Sequence, residues 1–406
     1  MLAIDVKIQY VFIRKPKDID GIKILSQAAL KGGWVMEKEE AGPGRQFFDA
    51  FEFRGMKRRD FLKFCGATAA LLGLSELEIP RIAAAIEKGA KRPPVVWLNF
   101  ASDSGCTESL IKATYPGPAE LILDILSLDY NETIMAAAGK QAEEILDKSK
   151  KVGGYILVVE GGIPTKKGHG MIGNKEMLEV FKEMAGPAIA ILAVGSCATT
   201  GGVPAAKPNP SQIIGTGEAM KKVGISKPLV NLDLCPMNPQ YLVGVVVNFL
   251  LLGKLPDLDQ HGRPKMFYGQ TIHETCERRS HFDAGRFVET FGSQEEALGY
   301  CLYKMGCKGP MTYSACSKIG YNNRVSWCVK AGGPCIGCAE PGWTDKFAGF
   351  YERLPGITIP GLGGVEAGAD KLGAIAGVAT VVGIAAHAIG TAASGRTKDK
   401  KDGGEK

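Results

Sequence analysis

Eleven cysteines occur in this sequence, and all but Cys65 lie beyond residue 100. They run Cys106, Cys197, Cys235, Cys276, Cys301, Cys307, Cys316, Cys328, Cys335 and Cys338, with Asp103 three residues before the first and His273 three before the fourth. Thiolate, imidazole and carboxylate are donors that transition metals take. Eleven cysteines less Cys65, plus His273 and Asp103, make twelve donors, or three sets of the four that a 4Fe-4S cluster requires. Zinc also takes four, but zinc ribbons use paired CxxC knuckles, and Cys335 with Cys338 forms the single CxxC here. Donors scattered singly along the chain therefore favour iron-sulfur clusters over zinc. One or two such thiols could be small buried hydrophobes, but ten could not. Asp103 keeps a second reading, as the N-cap of a helix beginning near Ser104.

Twelve donors spread over more than 230 positions need a frame to bring them together. Between Pro94 and about Leu255, β-branched or apolar runs at 95–100, 155–160, 188–194 and 229–234 alternate with helical stretches at 175–185 and 240–252. That alternation predicts an open parallel sheet with helices on both faces, whose ligands sit beyond the carboxyl ends of the strands. The first run leads to Asp103 and Cys106, the third to Cys197 and the fourth to Cys235, while Gly161-Gly162 after the second leaves the backbone room there. Beyond Pro264 apolar periodicity fades and seven cysteines remain, so metal ligation must replace a core as the source of folding energy.

The 406 residues, 45% of them hydrophobic and 23% charged, can form two domains and extra segments, which excludes a disordered or fibrous chain. A net charge of +6 without basic runs interleaved with aromatics excludes nucleic acid as a partner. Met56-Lys57-Arg58-Arg59 opens a twin-arginine n-region, Phe64 to Leu74 is a short apolar stretch, and Ala83-Ala84-Ala85 fits a cleavage site. Residues 56–85 are thus expected to be an export signal, and residues 1–55 a mis-assigned N-terminal extension ahead of the true start. Export by this route carries folded, cofactor-loaded proteins, which favours clusters over disulfides. At the other end, residues 372–393 carry no Asp, Glu, Lys or Arg, hold a Gly373/Gly377 GxxxG pair, and precede a basic tail at 394–406. This is expected to be a transmembrane helix with a cytoplasmic tail, leaving the globular part outside; a peripheral Gly/Ala tail is the alternative. His387 within it either contacts a haem of a partner or packs against a neighbouring helix.

Six motifs in order give the chain a specific resemblance. They are Val159-Glu160-Gly161-Gly162-Ile163-Pro164, Cys197 with Gly201-Gly202-Val203-Pro204-Ala205-Ala206, Cys235-Pro236-Met237-Asn238-Pro239, Gly299-Tyr300-Cys301-Leu302-Tyr303-Lys304, Gly306-Cys307-Lys308-Gly309-Pro310, and Pro334-Cys335-Ile336-Gly337-Cys338-Ala339-Glu340-Pro341. With them the chain resembles the small, electron-transferring subunit of NiFe hydrogenases of the exported, membrane-bound type. The resemblance implies a flavodoxin-like parallel-sheet domain over 92–260, an irregular iron-sulfur domain over 261–350, and the C-terminal transmembrane helix. It implies three clusters: a proximal one on Asp103, Cys106, Cys197 and Cys235, a distal one on His273, Cys276, Cys301 and Cys307, and a medial one on Cys316, Cys335 and Cys338. The proximal set normally begins with a Cys-x-x-Cys pair. The aspartate here is similar to the actinobacterial type. Cys328 stands where many members have proline, so the medial cluster is expected to be 4Fe-4S like the others, and 3Fe-4S if Cys328 does not ligate.

Dihydrogen would then be split at a nickel-iron site in a separate large subunit. This chain would pass the electrons to a membrane cytochrome b or another quinone-linked acceptor at the periplasmic face of the cell membrane. Arg278, Arg279, Lys304 and Lys308 form a positive set near the distal donors that either orients such an acceptor or is simply a solvated face. The alternatives are a free-standing iron-sulfur carrier and a zinc-binding structural module.

Overall fold

A computed structural model gives the structure. It describes residues 94–347 apart from 114–116, 119–121, 123–126, 253–254 and 322–324, then residues 351–352, 357–359, 363–365 and 369–393, and scattered positions between 63 and 82. The chain divides into Met1–Arg58 and Arg59–Lys406, and all described residues belong to the second unit. The expected extension at 1–55, the twin-arginine pair, the cleavage site and the basic tail lie outside the described residues.

Five strands make one parallel sheet: β1 (Pro94–Asn99), β2 (Ser127–Asn131), β3 (Ile156–Glu160), β4 (Ala190–Val194) and β5 (Leu229–Leu232). Their order is β2-β1-β3-β4-β5, all pairs parallel. One side-chain parity, Val96, Leu98, Leu157, Val159, Ile191 and Ala193, packs in a cluster with Phe181 and Met184 of α3 (Met177–Ala185) and with Ala219 and Met220 of α5 (Thr216–Val223). The opposite parity, Val95, Trp97, Val158, Leu192 and Val230, is buried as well. Both faces are therefore covered, which is why these strands read as continuous apolar runs rather than alternating ones. Two elements have no such run and escaped the sequence reading. Edge strand β2 buries only its last two residues, and α2 (Lys140–Val152) buries none fully.

The order reverses between β1 and β3, and at such a point the loops beyond the carboxyl ends diverge and open a crevice. The loop after β1 enters α1 (Gly105–Ile111), and the one after β4 enters α4 (Ser196–Thr200). Gly161 has φ +89, and a Cβ there would stand 2.7 Å from the Ala101 carbonyl. The room at Gly161-Gly162 is thus taken by the chain's own β1 loop, which Ala101 and Gly162 join through paired bonds of 2.9 and 3.0 Å.

After α6 (Pro239–Leu252) regular structure breaks up. Between 265 and 347 no described element exceeds the five residues of α8 (Arg279–Asp283), which follows α7 (Ile272–Thr275). The last element, α10 (Ala369–Ala393), follows the short α9 (Cys316–Ile319). Its Ala376–Ala393 stretch is long and apolar enough to cross a membrane, and none of it is buried within the chain.

Candidate functional site

Asp103 and Cys106 follow β1, Cys197 sits in α4 after β4, and Cys235 follows β5. The strand ends bring these side chains into one another's field. The Cys106 thiol is pushed well above its ordinary value by burial, then by Glu160, and also by Cys235 and Cys197. Cys197 is pushed up to about 11 by burial, then Cys235 and, more weakly, Asp103. Cys235 is exposed as a residue, but partial desolvation of its thiol by the surrounding loops, and then Asp103, raise it. Gly195 keeps the crevice passable: a Cβ there would lie 2.5 Å from the Cys106 sulfur. That sulfur also accepts the Met237 N–H at 3.3 Å.

Glu160 stands in the Val159–Pro164 motif, but its type and spacing assigned it no role at the site. The carboxylate ending the apolar strand β3 is 2% exposed, and it accepts the Cys106 N–H at 2.9 Å, the Thr107 N–H at 3.1 Å, the Thr107 hydroxyl at 2.6 Å and the Trp97 indole at 2.8 Å. Only its presence as a charge closing an apolar run could have betrayed it. Because Glu160 caps α1 from the neighbouring strand, the cap does not depend on Asp103. Ser104, not Asp103, is the N-cap residue; Asp103 is exposed and accepts the Gly105 N–H at 2.9 Å.

The remaining donors fall into two clefts. One is lined by His273, Cys276, Cys301 and Cys307 together with Arg278, Arg279 and Tyr303. The other, of about 640 Å³, is lined by Cys316, Cys328, Cys335 and Cys338, and Cys235 also reaches its wall. Ile272 lines both, so the two clefts are neighbours. The Cys335 N–H donates to the Cys307 sulfur at 3.4 Å, and the Arg278 N–H to the Cys276 sulfur at 3.4 Å. Burial pushes Cys301 up to about 12 and Cys316 to about 11, and raises Cys335 and Cys338 well above the ordinary thiol value. Burial, then Arg279, pushes His273 down, which favours the neutral imidazole that ligates metal.

All eleven cysteines are free. Protonated thiols of this kind each lose a proton when a metal is bound. Among the described residues, no three His, Cys, Asp or Glu side chains converge tightly enough for a single ion. Four donors spaced around a cleft suit a cluster, in which each ligand meets its own iron, better than one zinc. The donor set fits iron-sulfur clusters.

The expected positive set is smaller than the sequence suggested. Lys308 is 3% exposed and donates to the Glu352 carbonyl, so it presents no charge to a partner. Lys304 pairs with Glu289 at 2.6 Å and Arg279 with Asp283 at 2.8 Å. Side chains that bond within the chain cannot be told from free ones by residue type.

The family described as the C-terminal part of the NiFe/NiFeSe hydrogenase small subunit matches residues 268–351, and that described as NADH ubiquinone oxidoreductase, 20 Kd subunit, matches residues 104–249. The chain is 46% identical over 361 residues to the uptake hydrogenase small subunit of Azotobacter vinelandii, covering 88% of this chain and 98% of that one. To the quinone-reactive Ni/Fe-hydrogenase small chain of Wolinella succinogenes it is 44% identical, covering 86% and 99%. Among solved structures, the reduced Ni-Fe-Se hydrogenase of Desulfomicrobium baculatum is similar with a TM-score of 0.61 at 35% identity, over 65% of this chain and 100% of that one.

Proposed function

The chain belongs to the small-subunit family of NiFe hydrogenases, and from that premise we propose which residues hold its clusters, and where and to what it delivers electrons. It is the electron-transfer subunit of a hydrogenase, paired with a large subunit that contains the NiFe site. Iron-sulfur clusters, which small subunits of this family carry, take up and release single electrons at potentials set by ligand type, hydrogen bonds to sulfur and burial.

The ligand sets are Asp103, Cys106, Cys197 and Cys235 for a proximal cluster, Cys316, Cys328, Cys335 and Cys338 for a medial one, and His273, Cys276, Cys301 and Cys307 for a distal one. All three are 4Fe-4S in this reading, in a flavodoxin-like domain (92–260) and an irregular cluster domain (261–350). The observation that carries it is that two clefts are each lined by one complete foursome. The Met237, Arg278 and Cys335 amides donate to ligand sulfurs, which stabilises the charged thiolate and raises the potential of what it binds. Asp103 and Cys235 are exposed at the sheet's open end, and Val203, whose backbone bonds Cys197, is 53% exposed, which supports docking of the large subunit there to exclude water from the proximal site.

Export by the twin-arginine route and anchoring by α10 would put the complex at the periplasmic face of the cell membrane, with a cytochrome b or another quinone-linked acceptor nearby. The likeness to a quinone-reactive relative supports the acceptor, and the apolar, unburied helix supports the anchor. Metal analysis of the anaerobically purified complex tests the assignment. About twelve irons per chain, with the large subunit purifying alongside, are expected from three four-iron clusters. A value near four, or zinc in place of iron, would refute it.

A further inference from the structure

Arginine is almost never fully buried unless paired, and Arg263 is 2% exposed. It lies in a turn that follows α6 and docks on β5: the Asn231 N–H donates to the Gly262 carbonyl at 2.8 Å, and the Asn231 side-chain amide to the His261 carbonyl at 2.7 Å. Within the turn the guanidinium pairs with Asp259 at 2.8 Å. It then crosses to the cluster region, donating to the Ala339 carbonyl at 2.7 Å and reaching Glu340 at 3.4 Å. Glu340 in turn accepts the Tyr313 N–H at 2.9 Å, three residues before Cys316. Below the guanidinium, 5.0 Å away, lies the Tyr268 ring, whose hydroxyl donates to the Asp233 carbonyl at 2.9 Å, two residues before Cys235. One cation thus joins the stretches that carry Cys235, Cys316 and Cys338.

A buried ion pair is a weak source of stability, since apolar side chains of the same volume often do as well. What it does supply is a fixed geometry. We infer that Arg263 is a positioning residue: it holds the Cys335–Cys338 loop against the strand end bearing Cys235 and so sets the reduction potential of the medial cluster. The inference rests on the assignment of Cys316, Cys328, Cys335 and Cys338 as ligands. Loss of a cation bonded to the residue after Cys338 removes positive charge from the surroundings of a centre that gains an electron and lowers its potential, and loss of the Ala339 anchor lets the loop shift.

The test is a redox titration of the purified hydrogenase complex, followed by paramagnetic resonance, on wild type, Arg263→Met and Arg263→Lys. Arg263→Met should lower the medial midpoint and leave the distal one in place. Arg263→Lys keeps the charge but cannot hold Asp259, Ala339 and the Tyr268 ring at once, so its medial midpoint should fall by less. Arg263→Met strands two carboxylates; if it does not accumulate, Arg263→Lys decides alone. A medial midpoint and line shape equal to wild type in iron-loaded Arg263→Lys overturns the positioning role and leaves the ligand assignment standing. Wild-type protein without a medial signal and short of iron overturns the ligand assignment itself.

Discussion

Asp103 carries the finest distinction in the molecule, because the same carboxylate can bond a helix amide or bind iron. Asp103 accepts the Gly105 N–H alone, while Glu160 accepts the next two amides of α1, so most of the capping does not depend on Asp103. A carboxylate is a harder donor than a thiolate and favours ferric iron. Asp103→Asn, which still accepts the Gly105 N–H, is therefore expected to shift the proximal potential or lose the cluster, and Asp103→Cys to restore a four-thiolate site. Unchanged spectra in both variants, with a stability cost below the roughly 1 kcal/mol of a lost cap, would return Asp103 to the helix. Cys328 poses a similar question: it is an exposed cysteine lining the medial cleft, near enough to Cys316 and Cys338 to raise both thiols. Wild-type protein should lack a 3Fe-4S paramagnetic signal, and Cys328→Pro should create one; that signal in undamaged wild type would make Cys328 an ordinary thiol.

At the scale of elements, legibility followed burial. Strands β1, β3 and β4 were readable because they lie inside the sheet with both faces covered, and edge strand β5 because Leu229, Val230 and Leu232 still make an apolar run, whereas edge strand β2 and helix α2 bury too little to leave one. Helix α10 was readable for the opposite reason: residues 372–393 carry no Asp, Glu, Lys or Arg, and the 18 residues Ala376–Ala393, about 27 Å at 1.5 Å each, are long and apolar enough to cross a membrane. Removing 372–406 should leave a soluble, cluster-loaded complex that still reduces artificial dyes with dihydrogen but no longer sediments with membranes. Retention on membranes would assign the anchor elsewhere. His387 is exposed on this helix.

For the whole molecule, the two parts differ in what holds them together. The buried members of the apolar cluster run from Val96 to Met220, and the region beyond 265 has short elements around donor-lined clefts. Anaerobic removal of iron should therefore abolish amide-exchange protection across 265–347 while the sheet strands keep theirs, because ligation energy there is folding energy. Equal loss in both parts would show that the clusters stabilise the sheet as well.

Donor identity is covalent, and strand periodicity is local, so the sequence alone determined that this is a metal-binding redox protein on a parallel sheet. Spacing left open how twelve donors divide, and resemblance to a family supplied the partition into fours. Only the tertiary structure brought Glu160 to Cys106 across 54 residues, Arg263 to Ala339 across 76, and Ser196 to the Cys338 carbonyl across 142, and only it withdrew Lys308 from the surface. Contacts of that separation depend on how irregular loops close, and loop closure leaves no period in the sequence to read.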